Sequence, residues 1–124
     1  MKALLFFLGC KESDHLEDVD FLVKKLCNLR MFSDKEQKMN LSIQDINGSV
    51  LIVSQFTLYA NLEKGRRPSF IDAMEPEKAK VLYNAFVESV QKYVSVQTGV
   101  FGADMQVHLV NDGPVTFFLQ SMRR

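Results

Sequence analysis

The chain has 124 residues and a mass of 14.2 kDa, with 47% of its residues apolar and 24% charged. A single domain of that size buries about two thirds of its unfolded surface, enough for a real core. Its 15 basic and 15 acidic side chains cancel, which excludes a global field as the means of drawing in a polyanion and leaves that task to local clusters.

The first element is "ALLFFLG", a continuous apolar run of strand length, as expected of a strand covered on both faces. It is too short to span a bilayer, and the following "GCKESDH" is a poor leader-cleavage site. Cys10 closes this run and Cys27 falls in the next element. With no CxxC pair, both read as small core residues of a reduced, cytoplasmic protein. Ser13 or Asp14 stands where a helix N-cap would, and Asp14 with Glu17 has capping-box spacing. Leu16, Val19, Val23, Leu26 and Arg30 then recur at helical intervals, with Leu22 and Leu29 widening the stripe, which predicts an amphipathic helix over 14–30.

"RMFSDKEQKMNLSIQDINGS" is polar and punctuated, so it reads as mostly loop, with Asn47-Gly48 as a hairpin signal. "SVLIVSQFTLYA", 49–60, reads as a long central strand, and "NLEKGRRPSF" as a basic loop after it. Pro76 opens a second helix, where its missing N–H costs nothing; Ala79, Leu82, Tyr83, Phe86, Val90 and Tyr93 mark its inner face. Three short strands are predicted to finish the chain: "VSVQTG" (94–99), "DMQVHLV" (104–110) and "VTFFLQS" (115–121). The order β-α-β-α-β-β-β is that of a single α/β domain with helices packed on a mixed sheet.

For chemistry, His15 and His108 are the only histidines, and neither has a second ligand at metal spacing, so no metal site is expected. GxGxxG, GxxxxGK[ST] and GxSxG are all absent. Ser54 and Thr57 are hydroxyls on a predicted strand, open to a structural or a catalytic reading. Lys64, Arg66 and Arg67 sit beside a Gly and a Pro on one loop. That loop is either a solvated surface or a contact for phosphates. Gly113-Pro114 is an odd choice for a turn between two strands, because it gives up a backbone N–H and fixes one φ.

Three segments carry a resemblance. "VSQFTLYA" (53–60), "KGRRPSF" (64–70) and "FGADMQVHLVNDGPVT" (101–116) resemble the D-aminoacyl-tRNA deacylases. "KKLCNLRMFSD" and "KMNLSIQD" are similar to the same family, and the likeness runs from Leu4 to Ser121. The two family motifs stand here as Ser54-Gln55-Phe56-Thr57-Leu58 and Asn111-Asp112-Gly113-Pro114-Val115-Thr116.

The resemblance implies a three-layer α/β/β fold with two helices and about five strands in this chain. It implies a cytoplasmic homodimer without metal or cofactor and with no membrane or DNA partner. Such an enzyme hydrolyses the ester of D-aminoacyl-tRNA, and of glycyl-tRNA, as a proofreading step. It implies that the Gly113-Pro114 peptide is cis and enters the pocket of the partner subunit. There its two carbonyls, pointing the same way, exclude an L-side chain. Ser54, Gln55, Phe56 and Thr57 line the pocket, Thr57 as a positioning group rather than a nucleophile. Backbone N–H groups near Phe56 and Thr57 are the oxyanion donors. Phe101 and Met105 wall the adenosine or the aminoacyl group, Asn111 and Thr116 belong to the Gly-Pro motif, and Lys64, Arg66 and Arg67 meet tRNA phosphates.

One departure stands out. Family members usually carry a β-hairpin ahead of the strand matched by "ALLFFLG", and this chain starts at that strand, so it is N-terminally short. The hairpin supplies two strands and a basic residue that helps fix the Gly-Pro loop; without it a sheet edge is exposed. Two rivals follow: a catalytically impaired tRNA-binding or structural remnant, and a related deacylase that prefers L-alanine through a trans Gly-Pro. Ser54-Gln55 counts against the second, since that relative carries Pro-Gln.

Overall fold

The opening apolar run forms β1 (Ala3–Leu8) in the computed structural model, which describes residues 2–113 and 115–121. Then follow α1 (Leu16–Asn28), β2 (Phe32–Ser33), β3 (Met39–Leu41) and β4 (Ser49–Ser54). A 3-10 helix (Phe56–Tyr59) leads on to α2 (Pro76–Gln91) and β5 (Ser95–Thr98). These two helices and five strands match the mixed α/β class read from the sequence.

β4 is the middle strand of a three-stranded sheet, parallel to β1 on one side and to β5 on the other. Leu5 stands opposite Leu51, and Val50 opposite Val96. Parallel neighbours need crossover connections, and the two helices lie in these crossovers. The helices pack on each other and bury their stripes: Val19, Val23 and Leu26 from α1; Ala79, Leu82, Tyr83, Phe86 and Val90 from α2. Ile52 and Phe86 are fully buried, and Phe6 stacks on Phe86 with ring centroids 5.1 Å apart. The buried Tyr83 hydroxyl donates to the Ile52 carbonyl (3.0 Å), so the one polar end of that ring is satisfied.

Several expectations are corrected. The first helix starts later than residue 14, because His15 is extended (φ −132°, ψ 179°) and serves as N-cap. Asp18, not Glu17, closes the box by accepting the His15 N–H (2.8 Å), while Asp14 accepts the Lys11 N–H (2.7 Å) in the preceding turn. Asn47-Gly48 makes no hairpin. Asn47 takes a left-handed φ of 52°, and the Gly48 N–H donates to the Ile43 carbonyl (3.0 Å), closing a turn that feeds β4. A Cβ on Gly48 would lie 3.0 Å from the Lys2 carbonyl oxygen, a backbone atom, and 2.7 Å from the Ile43 Cδ1, so the turn suits glycine.

The polar segment does hold an antiparallel pair, β2 with β3, Phe32 opposite Leu41. Its turn is tied by Asp34, which accepts the N–H groups of Glu36 (2.8 Å) and Lys38 (3.0 Å). Those bonds, that of Lys38 first, hold the Asp34 carboxyl below its usual range. Tyr93 is exposed, because α2 ends two residues before it.

The strand predicted over 49–60 stops at Ser54 and becomes the 3-10 helix. Residues 104–110 and 115–121 form no ladder among the described residues, and Leu109, Val110, Phe117 and Phe118 stand exposed. Alternation marks a segment that suits a strand, but its backbone groups need a partner to make one. Among the described residues no helix is long and apolar enough to cross a membrane.

Candidate active site

In an open parallel sheet the crevice beyond the carboxyl ends of the strands is the natural place for a ligand. Here those ends deliver Gly9 and Cys10 after β1, Ser54 to Thr57 from β4, and Gly99 to Met105 after β5. The three ends are tied side by side. The Gln55 N–H donates to the Leu8 carbonyl (2.8 Å), and the Gly99 N–H donates to the Ile52 carbonyl (3.2 Å).

Ser54 is the last residue of β4 and half-buried. Gln55 turns the chain into the 3-10 helix, and its side-chain amide donates to the Thr57 Oγ1. An amide cannot take a proton from a hydroxyl, so this partner orients Thr57 without activating it. Phe56 is 58% exposed and packs edge-on to Phe70, centroids 5.0 Å apart. Phe101 is half-buried against Tyr83 at 5.5 Å. Met105 lies over Gly99, where an added Cβ would come within 2.5 Å of its sulfur and 3.8 Å of the Val53 Cγ2. Phe56 thus follows β4 directly, while Phe101 and Met105 belong to the segment after β5, packed on Tyr83 and beside Gly99.

Two residues of this site were not singled out in the sequence. Gly9 lies under the 3-10 helix, where an added Cβ would stand 3.0 Å from the Gln55 carbonyl oxygen and 3.1 Å from the Leu58 Cβ. Phe70 backs Phe56. A glycine closing an apolar run was the available signal for the first, and only the fold supplies the second.

The basic loop is a closed one. Asn61 and Ser69 exchange backbone hydrogen bonds of 2.7 and 2.9 Å, and Gly65 takes φ +64° at its tip. Lys64, Arg66 and Arg67 are exposed along it. It leaves directly from the end of the 3-10 helix.

The Asn111–Thr116 loop is not brought onto Ser54–Thr57 by the hydrogen bonds described for it. The Asn111 Nδ2 donates to the Thr116 Oγ1 (3.0 Å), a bond internal to the loop, and Asn111, Gly113 and Thr116 are exposed. A Cβ on Gly113 would run into the Val115 backbone nitrogen. Pro114, and with it the isomer of the Gly113-Pro114 peptide, lies outside the described residues.

A cavity of about 840 Å³ is lined by Leu58 and Tyr59 of the 3-10 helix and, among others, by Cys10, Asp14, Thr116, Gln120 and Ser121. Ser54–Thr57 do not border it, whereas Gly9 and Leu58 beside them and Thr116 of the second motif do. A smaller one of about 320 Å³, lined by Lys80, Tyr83, Thr98 and Phe101, adjoins the site. Burial, with help from the Asp14 charge, pushes the Cys10 thiol up to about 11, which keeps it protonated and a poor nucleophile. Burial also raises the Tyr59 phenol. Among the described residues no three His, Cys, Asp or Glu side chains gather as a metal site.

Comparison with known proteins adds four findings. The family model for D-Tyr-tRNA(Tyr) deacylase matches residues 1–120. A D-aminoacyl-tRNA deacylase of Sulfurihydrogenibium sp. (strain YO3AOP1) is 60% identical over 120 residues, which is 97% of this chain and 82% of that protein. The solved structure of a c-Myc DNA Unwinding Element Binding Protein superposes with a TM-score of 0.89 at 40% identity, covering 96% of this chain and 82% of that one. Another, described as "Structural Analysis of a probable eukaryotic D-amino acid tRNA deacylase", gives 0.72 at 19% identity over 89% of this chain and 80% of that one, and so shows the fold alone.

Proposed function

The chain belongs to the D-Tyr-tRNA(Tyr) deacylase family of ester hydrolases, and from that premise we propose that it frees tRNA from D-aminoacyl-tRNA as a cytoplasmic homodimer, a proofreading step. The observation that supports this most is the turn at the end of β4. It presents Ser54, Gln55, Phe56 and Thr57 at the carboxyl edge of a parallel sheet, with Thr57 already oriented by Gln55.

An aminoacyl ester is activated, so holding it against water and against the terminal hydroxyl of the tRNA is most of the task. Water adds to the ester carbonyl, and the tRNA 3′ oxygen leaves with a proton. In this reading the N–H groups of Phe56 and Thr57, at the open start of the 3-10 helix, receive the developing oxyanion. Phe56, Phe101 and Met105 hold the adenosine and the aminoacyl group by their apolar faces. The Gly113-Pro114 peptide acts as a backbone gauge, entering from the partner subunit and rejecting an L-side chain by contact. Glycyl-tRNA passes the same gauge, because it has no side chain to reject. The exposed apolar residues Leu109, Val110, Phe117 and Phe118 suit a face covered in the dimer.

Lys64, Arg66 and Arg67 are the tRNA-phosphate contacts of this proposal. Arg66→Ala with Arg67→Ala should weaken tRNA binding and lower the salt slope of log K by about one to two; an unchanged affinity and slope would return the loop to a solvated surface. The function itself is tested by turnover of D-tyrosyl-tRNA measured beside tRNA binding. Turnover supports the deacylase, and binding without turnover would favour the impaired remnant.

A further inference from the structure

Two aromatic rings join the turn at the end of β4 to the basic loop, and the proposed reaction uses only the first of them. Phe56 opens the 3-10 helix, and Phe70 follows Ser69, the residue that closes the basic loop against Asn61. Their ring centroids are 5.0 Å apart and their planes meet at 61°. Packing alone does not account for the pair, since Phe56 is 58% exposed and Phe70 41%. An edge-on pair also leaves both faces of one ring uncovered by the other. The backbone under Phe70 is held in place. Its carbonyl accepts the Ala73 N–H (3.1 Å), Ala73 bridges to Lys11, and the Met74 N–H donates to the Cys10 carbonyl (3.0 Å). The ring thus stands on a segment fastened beyond the end of β1, at the foot of a loop whose Lys64, Arg66 and Arg67 are exposed. Gly65, at the tip of that loop, is four residues from Ser69, at most about 14 Å of chain.

We propose that Phe70, with Phe56 beside it, is a stacking platform for the unpaired bases that precede the terminal adenosine of the tRNA. The platform rests on the deacylase reading above, which holds that adenosine against Phe56, Phe101 and Met105. Single-stranded nucleic acid is bound by cations along its backbone and by aromatic rings under its bases, and every base has a face that can stack. Here the two parts are adjacent: the loop supplies the cations, and the ring at its foot supplies the face. A strand whose phosphates follow Lys64, Arg66 and Arg67 and whose end reaches Ser54–Thr57 passes Phe70 on the way. Phe70 is therefore a binding residue and does not touch the ester.

The chain has no tryptophan, so Phe70→Trp puts a single fluorophore at the platform. Its emission should be quenched saturably by uncharged tRNA, and should not change with the same tRNA stripped of its unpaired 3′ nucleotides. Equal quenching by both, or none by intact tRNA, would overturn the platform. Phe70→Leu, which keeps apolar bulk without a ring, should raise KM for D-tyrosyl-tRNA about tenfold and leave the salt slope of tRNA binding unchanged; Phe70→Tyr should restore the KM. With D-tyrosyl-adenosine, which lacks the preceding bases, KM in Phe70→Leu should stay near the wild-type value. A wild-type KM for D-tyrosyl-tRNA in Phe70→Leu would reduce the ring to packing, and an equal rise with both substrates would put it under the adenosine; either result refutes the proposal. A lowered salt slope would also refute it, by showing that the variant acts through the cations of the loop. A wild-type chain that turns over no D-tyrosyl-tRNA would instead refute the deacylase reading, while quenching of Phe70→Trp by uncharged tRNA still decides the platform.

Discussion

Gly9 carries more of the site than its size suggests. Its missing Cβ lets the 3-10 helix close down on the end of β1, with the Gln55 carbonyl oxygen and the Leu58 Cβ at 3.0 and 3.1 Å from where that carbon would be. Gly9→Ala must push the turn outward, at a cost of about 1–3 kcal/mol in stability. It should lower kcat more than it raises KM, because the Phe56 and Thr57 N–H groups, the oxyanion donors of the proposed function, move. Steady-state kinetics and a melting curve check both, and a wild-type kcat would show the turn to be tolerant. The next residue, Cys10, makes a prediction about pH. Its thiol rises from 9.0 to about 11, mainly by burial. Below the lower value folded and unfolded chains both hold the proton; between the two the unfolded chain sheds it and the folded chain keeps it. Stability from this group is therefore present below the unfolded value and is lost as pH rises through the window. The urea midpoint should fall between pH ~9 and ~11, and fall less in Cys10→Ala. An equal fall in that variant would contradict the assignment.

At the level of elements, the helices were readable because burial imposes a period of its own. Val19, Val23 and Leu26, then Ala79, Leu82, Phe86 and Val90, recur as a helix face must, and all are buried. Phe86 is the centre of that packing, fully buried and stacked on Phe6. Phe86→Ala should cost about 3–5 kcal/mol by chemical denaturation; a loss below about 1 kcal/mol would mean the core closes over the cavity. The strands were less readable. "QFTLYA" alternates like a strand, but β1 ends at Leu8 and leaves β4 no neighbour beyond Ser54, so the chain coils. Residues 104–110 and 115–121 alternate just as well and lack a partner among the described residues. The N-cap moved from Ser13 or Asp14 to His15, the last extended position, and with it the box partner moved from Glu17 to Asp18.

For the molecule as a whole, the sheet explains why distant motifs share one edge. Parallel strands all end on the same side, so Gly9, Ser54–Thr57 and Phe101–Met105 arrive together although far apart in the chain. Composition and periodicity could not have found that edge; Ser54–Thr57, Phe101 and Met105 were picked out only through the resemblance to the deacylases. The basic loop was legible from its Gly, Pro and charges, but its closure by the backbone pairing of Asn61 and Ser69 was not. Nor was the Asp18–Ser121 hydrogen bond legible, because these two residues are paired by the fold and not by any spacing. The account stands or falls on chirality. The direct measurement is hydrolysis of D-tyrosyl-tRNA and L-tyrosyl-tRNA, side by side, by the purified 124-residue chain. The account predicts release of D-tyrosine at least about a hundredfold faster than L-tyrosine, as a site that rejects one enantiomer by contact with backbone should show. Equal rates, or preference for the L-ester, would contradict it.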